Sequence, residues 1–279
     1  MKKTISILLA LMLLFALVAC GGGTKQPDPT PTSTGQGGEG GDKLPAQVQA
    51  IVDRGTLRVG VKVDVPGFGF QNPDTGEMEG IEIDIARELA KRLLGDETKI
   101  STTGVTAQTR GPLLDNNEVD MIIATFTITE ERKQSFNFTE PYYTDAIGFL
   151  VKKDSGIETM QDLDGKTIGV AQSATTKDAI IEKAKELGIS VSFSEYASYP
   201  EINAALASGR IDAFSVDKSI LLGYINDTTK ILEEGFKPQE YGIATKFDNK
   251  DLAAYVNDFV AEIKADGTMD AILAKWGLK

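Results

Sequence analysis

Apolar residues recur every three or four positions over 80–94, at Ile83, Ala86, Leu89, Ala90 and Leu93, which predicts an amphipathic helix ended by Gly95. Upstream the period shortens. Residues 56–62 alternate as a strand and run into Pro66-Gly67-Phe68-Gly69-Phe70, a loop signature, so Lys62 lies at the strand's exit. A short helix over 46–53 precedes that strand. Further on come a helix over 112–117 and a strand over 119–125, apolar enough to be buried on both faces as in a parallel sheet. The succession then begins afresh. A strand over 166–171, a polar turn over 172–176 and a helix over 177–187 are followed by a helix over 200–207, a strand over 211–216 and a helix opened by Asp217. Two amphipathic helices close the chain, one carrying Leu252, Val256, Phe259 and Ile263, the other ending in Trp276. Alternating strands and helices predict doubly wound α/β lobes, and the echo between Asn117-Glu118-Val119-Asp120-Met121 and Gly209-Arg210-Ile211-Asp212-Ala213 hints that two lobes share one plan.

The first residues read differently. Lys2 and Lys3 precede an apolar stretch over 7–18 of about a dozen residues, against about 20 needed to span a bilayer, so a signal peptide is expected rather than a transmembrane anchor. Leu17-Val18-Ala19-Cys20-Gly21 resembles the bacterial lipoprotein box. That resemblance implies removal of residues 1–19 and lipidation of Cys20, anchoring the chain to the outer face of the bacterial cell membrane or within a periplasm. Residues 20–43, rich in Gly, Thr and Pro, read as a flexible tether without secondary structure.

Composition removes whole classes of chemistry. Histidine is absent, which excludes Ser-His-Asp and Cys-His catalysis and His-ligated metals. Cys20 is the only cysteine, so the globular part has no disulfide, thiolate metal site or cysteine nucleophile. Neither metal nor cofactor is expected. The net charge of −12, more negative still once Lys2 and Lys3 leave, argues against nucleic acid or anionic lipid as partner.

Arg110 and Arg132 are the candidate anion grips. Each sits beside short polar residues, Thr109 for the first and Thr125, Thr127 and Thr129 for the second, and two guanidiniums suggest a ligand with two carboxylates. Lys62, Thr125, Thr127, Thr175, Thr176 and Asp217 all fall where strands end and helices begin, the usual ligand position of open α/β sheets. Taken singly, each has a plainer explanation. Thr175 and Thr176 can cap a helix, Arg132 can pair with Glu130 or Glu131, and Asp217 can be its own helix's N-cap.

Gly80-Ile-Glu-Ile-Asp84-Ile-Ala-Arg-Glu-Leu-Ala90-Lys-Arg-Leu93 resembles the signature of the polar amino-acid-binding proteins that serve ABC importers, solute-binding protein family 3. The resemblance continues through Thr127-Ile-Thr-Glu-Glu-Arg132, Phe138-Thr-Glu-Pro-Tyr-Tyr143 and Ala213-Phe-Ser-Val-Asp217. Within that family it is most similar to the aspartate/glutamate-binding branch, through Val61-Lys62-Val-Asp-Val-Pro66, Thr109-Arg110-Gly-Pro-Leu-Leu-Asp115 and Tyr196-Ala-Ser-Tyr199-Pro200.

The resemblance implies a two-lobed periplasmic-binding-protein type II fold, each lobe a doubly wound sheet, joined by a two-strand hinge. Lobe 1 would comprise residues 44–147 and 240–279, and lobe 2 residues 148–239, with crossing strands near 149–152 and 238–244. Carried over residue by residue, Arg132 would grip the α-carboxylate with Thr127 and the backbone N–H groups around Thr175 and Thr176, and Asp217 would take the α-ammonium. Arg110, Lys62, Tyr199 and Thr125 would select the side chain. Asp84 reads as a helix-start carboxylate outside the site. Three cations against Asp217 leave two positive charges in excess, so an acidic ligand is expected. The implied role is a monomeric receptor delivering aspartate or glutamate to an ABC permease, without covalent chemistry. Alternatives are the same role for another polar amino acid such as glutamine, a cyclohexadienyl dehydratase-like enzyme, and a surface adhesin.

Overall fold

The computed structural model describes residues 44–278, so the signal peptide, Cys20 and the tether lie outside the described residues. The first sheet has the order Ile100–Gly104, Leu57–Val61, Met121–Ile123, Ala244–Lys246, Phe136–Phe138. Its first three strands are parallel and the last two are joined antiparallel. The second sheet places Thr167–Ala171 in parallel between Ser192–Tyr196 and Ala213–Asp217, with the long strand Tyr143–Lys152 antiparallel on the far side of the latter.

The two sheets are pinned in the same way. Asp120 Oδ2 accepts the Arg58 N–H at 2.8 Å while Asp120 N–H donates to Arg58 O at 2.9 Å. Asp212 Oδ2 accepts the Thr167 N–H at 2.8 Å while Asp212 N–H donates to Thr167 O at 2.8 Å. The echo visible in the sequence is thus one device used twice, an aspartate that satisfies the first free N–H of the neighbouring strand.

The amphipathic helix is Ile81–Leu94, buried through Ile81, Ile83, Ile85, Ala86 and Leu89 and ended by left-handed Gly95. Gly80 opens it at φ 121°, and a Cβ there would lie 2.0 Å from Phe68 O, so only glycine serves. Asp84 accepts from Lys275 Nζ at 2.7 Å and Trp276 Nε1 at 2.8 Å, which ties this helix to the C-terminal helix and fits its reading as structural.

Several elements escaped the hydrophobic pattern. The stretch read as a loop holds a small antiparallel sheet, Asp64–Val65, Gly69–Gln71 and Met78–Glu79, whose strands are too short to display a period. The antiparallel crossing pair also lies earlier than expected. Pro238–Tyr241 pairs with Ala146–Tyr143, whereas Leu150, Val151 and Lys152 pair with Thr229–Ile231. The apolar run from Ala146 to Val151 inside Tyr143–Lys152 gives no hint of where its partner changes. One continuous core cluster links Val65, Phe68 and Tyr241 with Tyr199, Phe214 and Val216, so the two sheets are held against each other by packed side chains.

Candidate functional site

The predicted residues do converge. Lys62 follows Leu57–Val61, Arg110 opens the helix Arg110–Asp115, Arg132 opens a 3₁₀ turn, Arg132–Gln134, and Thr176 opens the helix Thr176–Leu187. Asp217 is the last residue of Ala213–Asp217, and Tyr199 the first of the helix Tyr199–Ala207. Lys62, Arg110, Thr125, Thr127, Thr176, Tyr199 and Asp217 are all buried. The outer part opens as a cleft of about 440 Å³ lined by Thr127, Arg132, Ser173, Thr175 and Gln239.

Both guanidiniums are held by carbonyls rather than carboxylates. Arg110 Nη1 donates to Ala124 O at 2.7 Å and to Thr125 O at 3.1 Å, and its Nε has no hydrogen-bond partner among the described residues. Arg132 Nη1 donates to Thr127 O at 2.8 Å and its Nη2 to Ser173 O at 3.3 Å. Thr125 and Ser173 have left-handed backbones, φ 42° and 59°, which for a β-branched residue such as Thr125 is costly. The strain turns each carbonyl toward a guanidinium. Phe126 lies between the two, 3.8 Å from the Arg110 guanidinium and 4.8 Å from that of Arg132, supplying a π face to both.

The plainer explanations of single residues do not hold. Neither guanidinium makes an ion pair among the described residues. Asp217 precedes the helix Lys218–Leu222 without capping it, and instead accepts a hydrogen bond from the Tyr241 hydroxyl. Thr175 Oγ1 donates to Gln239 Oε1 at 2.8 Å and caps nothing.

Burial dominates the electrostatics. Desolvation pushes Arg132 down to about 9, helped by the like charge of Arg110, and lowers Arg110 as well. A guanidinium stays charged regardless, so the direction measures how strongly an anion would be favoured there. Desolvation raises the Asp217 carboxyl to about 7 against the Tyr241 hydrogen bond, which means a cation beside it would restore its charge. It also lowers Lys62, outweighing the pairing with Asp64.

Two carboxylates in this cluster were quoted in the sequence motifs but given no role. Asp64 pairs with Lys62 at 2.9 Å, accepts the Tyr199 N–H at 3.3 Å, and its carbonyl accepts the Tyr224 hydroxyl. Glu82 is fully buried; its Oε1 accepts the Thr125 N–H at 2.5 Å and the Tyr142 hydroxyl at 2.6 Å, and its Oε2 has no hydrogen-bond partner among the described residues. A glutamate between Ile81 and Ile83 in the first turn of a helix was the available signal. Lys62, Arg110 and Arg132 therefore face Asp64, Glu82 and Asp217, and the formal charges cancel. The expected excess of two positive charges is corrected by that count.

Comparison with known proteins fits this geometry. Residues 57–279 match the family described as bacterial extracellular solute-binding proteins, family 3. The chain is similar to the ABC transporter glutamine-binding protein GlnH of Bacillus subtilis, 37% identical over 99% of this chain and 97% of that one. It is also similar to the glutamate-binding protein GluB of Corynebacterium glutamicum, 32% identical over 81% of this chain and 80% of that one. Among solved structures, an ancestral arginine-binding protein bound to arginine superposes with a TM-score of 0.72 at 36% identity, covering 80% of this chain and 98% of the other. The two-lobed α/β fold expected from the sequence agrees with that structure. The cleft lined by Thr127, Arg132, Ser173, Thr175 and Gln239 has the polar lining that capture of a small solute calls for, and the chain belongs to the bacterial extracellular solute-binding proteins, family 3.

Proposed function

We propose that this protein is an extracytoplasmic receptor that closes on an amino acid carrying a side-chain carboxylate, aspartate or glutamate, and delivers it to an ABC importer. The single observation that carries the acidic choice is Arg110, a buried guanidinium held only by two carbonyls and lacking a carboxylate partner among the described residues. In the assignment we favour, Arg132 and Thr127 take the α-carboxylate with N–H groups at Thr175 and Thr176, and Asp217 takes the α-ammonium. Arg110, with Lys62, Tyr199 and Thr125 around it, takes the side chain. Lipidation of Cys20, residues 44–147 with 240–279 as one lobe and 148–239 as the other, and a monomeric state belong to the same proposal. Ligand binding would shift an open and closed equilibrium toward the closed form.

A second reading has its own support. With Glu82 ionised the cluster is neutral, which suits a zwitterion with an uncharged polar side chain, and GlnH of Bacillus subtilis is named for glutamine. The relatives are named as binding proteins, so an enzymatic role finds no support among them. Titration calorimetry of the protein from Gly41, refolded to strip carried ligand, against aspartate, glutamate, glutamine, asparagine and arginine tests the choice. Binding confined to aspartate and glutamate is the expected result. A preference for glutamine that survives Arg110→Ala would overturn the role given to Arg110.

A further inference from the structure

Glu82 is an anion set behind both cations proposed to hold the ligand's side chain. It comes from the first turn of the helix Ile81–Leu94 and is fully buried. Its neighbours are neutral donors, the Thr125 N–H at 2.5 Å and the Tyr142 hydroxyl at 2.6 Å, and both engage Oε1. Oε2 is left without a hydrogen-bond partner among the described residues, which suits a carboxyl that carries a proton there better than a bare carboxylate. The charged groups facing it from other elements are Lys62 at the exit of Leu57–Val61 and Arg110 from the helix Arg110–Asp115, and Lys62 already has Asp64 as its partner.

A ligand carboxylate placed at Arg110 would compete with Glu82 for the same positive field. Two carboxylates sharing one site cannot both ionise freely. A side-chain amide brings no charge and leaves Glu82 as the counter-ion.

We propose that Glu82 balances the charge of the ligand's side chain, so that an acidic amino acid is captured together with one proton taken up by Glu82, whereas an amide is captured with Glu82 ionised. The inference rests on the acidic reading of the site. Burial independently raises the Glu82 carboxyl to about 7, so the uptake is measurable near neutral pH. The sign follows from the added negative charge. Binding of the acid raises the Glu82 pKa further, so affinity for the acid grows as pH falls through the unliganded value, and above that value it drops about tenfold per pH unit.

The experiment is calorimetry of glutamate binding near neutral pH in two buffers of different ionisation enthalpy, followed by glutamine in the same buffers. Asp217 sheds the same fraction of a proton beside either ligand's ammonium, so the difference is what counts: glutamate is expected to take up about one proton more than glutamine. Glu82→Gln should abolish that difference while its melting curve reports that it folds. Equal proton counts for glutamate and glutamine in the native protein, or a difference retained in Glu82→Gln, would overturn the proposal, the second by moving the proton to another group such as Lys62. Should the variant fail to fold, the ratio of glutamate to glutamine affinity in the native protein decides, because the α-ammonium and its Asp217 partner cancel in it. A ratio independent of pH from roughly 5 to 8 overturns the proposal. Failure of the acidic reading itself is seen separately, as no glutamate binding at any of these pH values.

Discussion

The two lobes start from one plan and end with opposite chemistry. Asp120 and Asp212 make the same pair of hydrogen bonds at the start of equivalent central strands, to Arg58 and to Thr167. Five positions further on, at the ends of those strands, stand Thr125 in one lobe and Asp217 in the other. Thr125 takes a strained left-handed backbone that offers its carbonyl to Arg110 and its N–H to Glu82, while Asp217 stays extended and presents a carboxylate. The first lobe supplies Lys62, Arg110 and Arg132, and the second supplies the anion and the helix start at Thr175 and Thr176. Repeated architecture fixes where a ligand sits, and the residues at the strand ends decide what it is.

The largest expected effects come from breaking this opposition. Arg132→Ala and Asp217→Asn should each lower affinity for any amino acid by about 3 to 5 kcal/mol, since each leaves a ligand charge buried and unpaired; calorimetry that finds less than a tenfold loss in either would remove that residue from the site. Arg110→Ala is expected to weaken aspartate and glutamate by more than about 2 kcal/mol and to leave glutamine little changed. Equal losses for acid and amide would mean that Arg110 organises the strand end at Ala124 and Thr125 without selecting the side chain.

The shared clip offers a sharper test of the lobes as structures. Asp120 is buried and also binds the Arg54 and Arg58 guanidiniums, whereas Asp212 is exposed. Asp120→Ala should therefore destabilise by about 3 kcal/mol and Asp212→Ala by about 1 kcal/mol, read by denaturant unfolding. Equal costs would show that the clip itself, and not the arginines added to it, carries the stability.

The last effect concerns pH and is spread over an interval of it. Because the folded Glu82 carboxyl sits near 7, above its usual value of 4.5, the native state holds a proton that the unfolded chain has released. Its contribution to stability is present below about pH 4.5 and is lost as pH rises toward 7. Ligand-free Glu82→Gln should therefore lose less stability than the native protein across that interval, by up to roughly 3 kcal/mol. Parallel pH profiles would mean that Glu82 titrates as a solvated carboxylate when the cleft is empty.

Most of the fold was legible because its helices and central strands are long enough to show a period. The run over 80–94 appears as Ile81–Leu94, and the strand over 56–62 as Leu57–Val61. Edge strands such as Ser192–Tyr196, whose residues are only partly buried, and the two-residue strands near Asp64 left no such trace. The candidate site was legible through strand-end positions and family motifs, and the structure does bring Lys62, Arg110, Thr125, Arg132, Tyr199 and Asp217 together. Glu82 and Asp64 were missed for one reason. A carboxylate in a helix's first turn or beside a lysine is usually solvated, and nothing in local spacing says that a second strand will close over it.

The sequence alone determined the alternation of strands and helices, the absence of histidine and cysteine chemistry from the globular part, and the lobes' common plan, since each depends on neighbours along the chain. Tertiary structure decided the charge balance of the cleft. Glu82 meets Tyr142 and Thr125 across 60 and 43 positions of sequence, and Asp64 meets Tyr199 across 135, so only packing of distant segments could remove these carboxylates from water and set them against the cations.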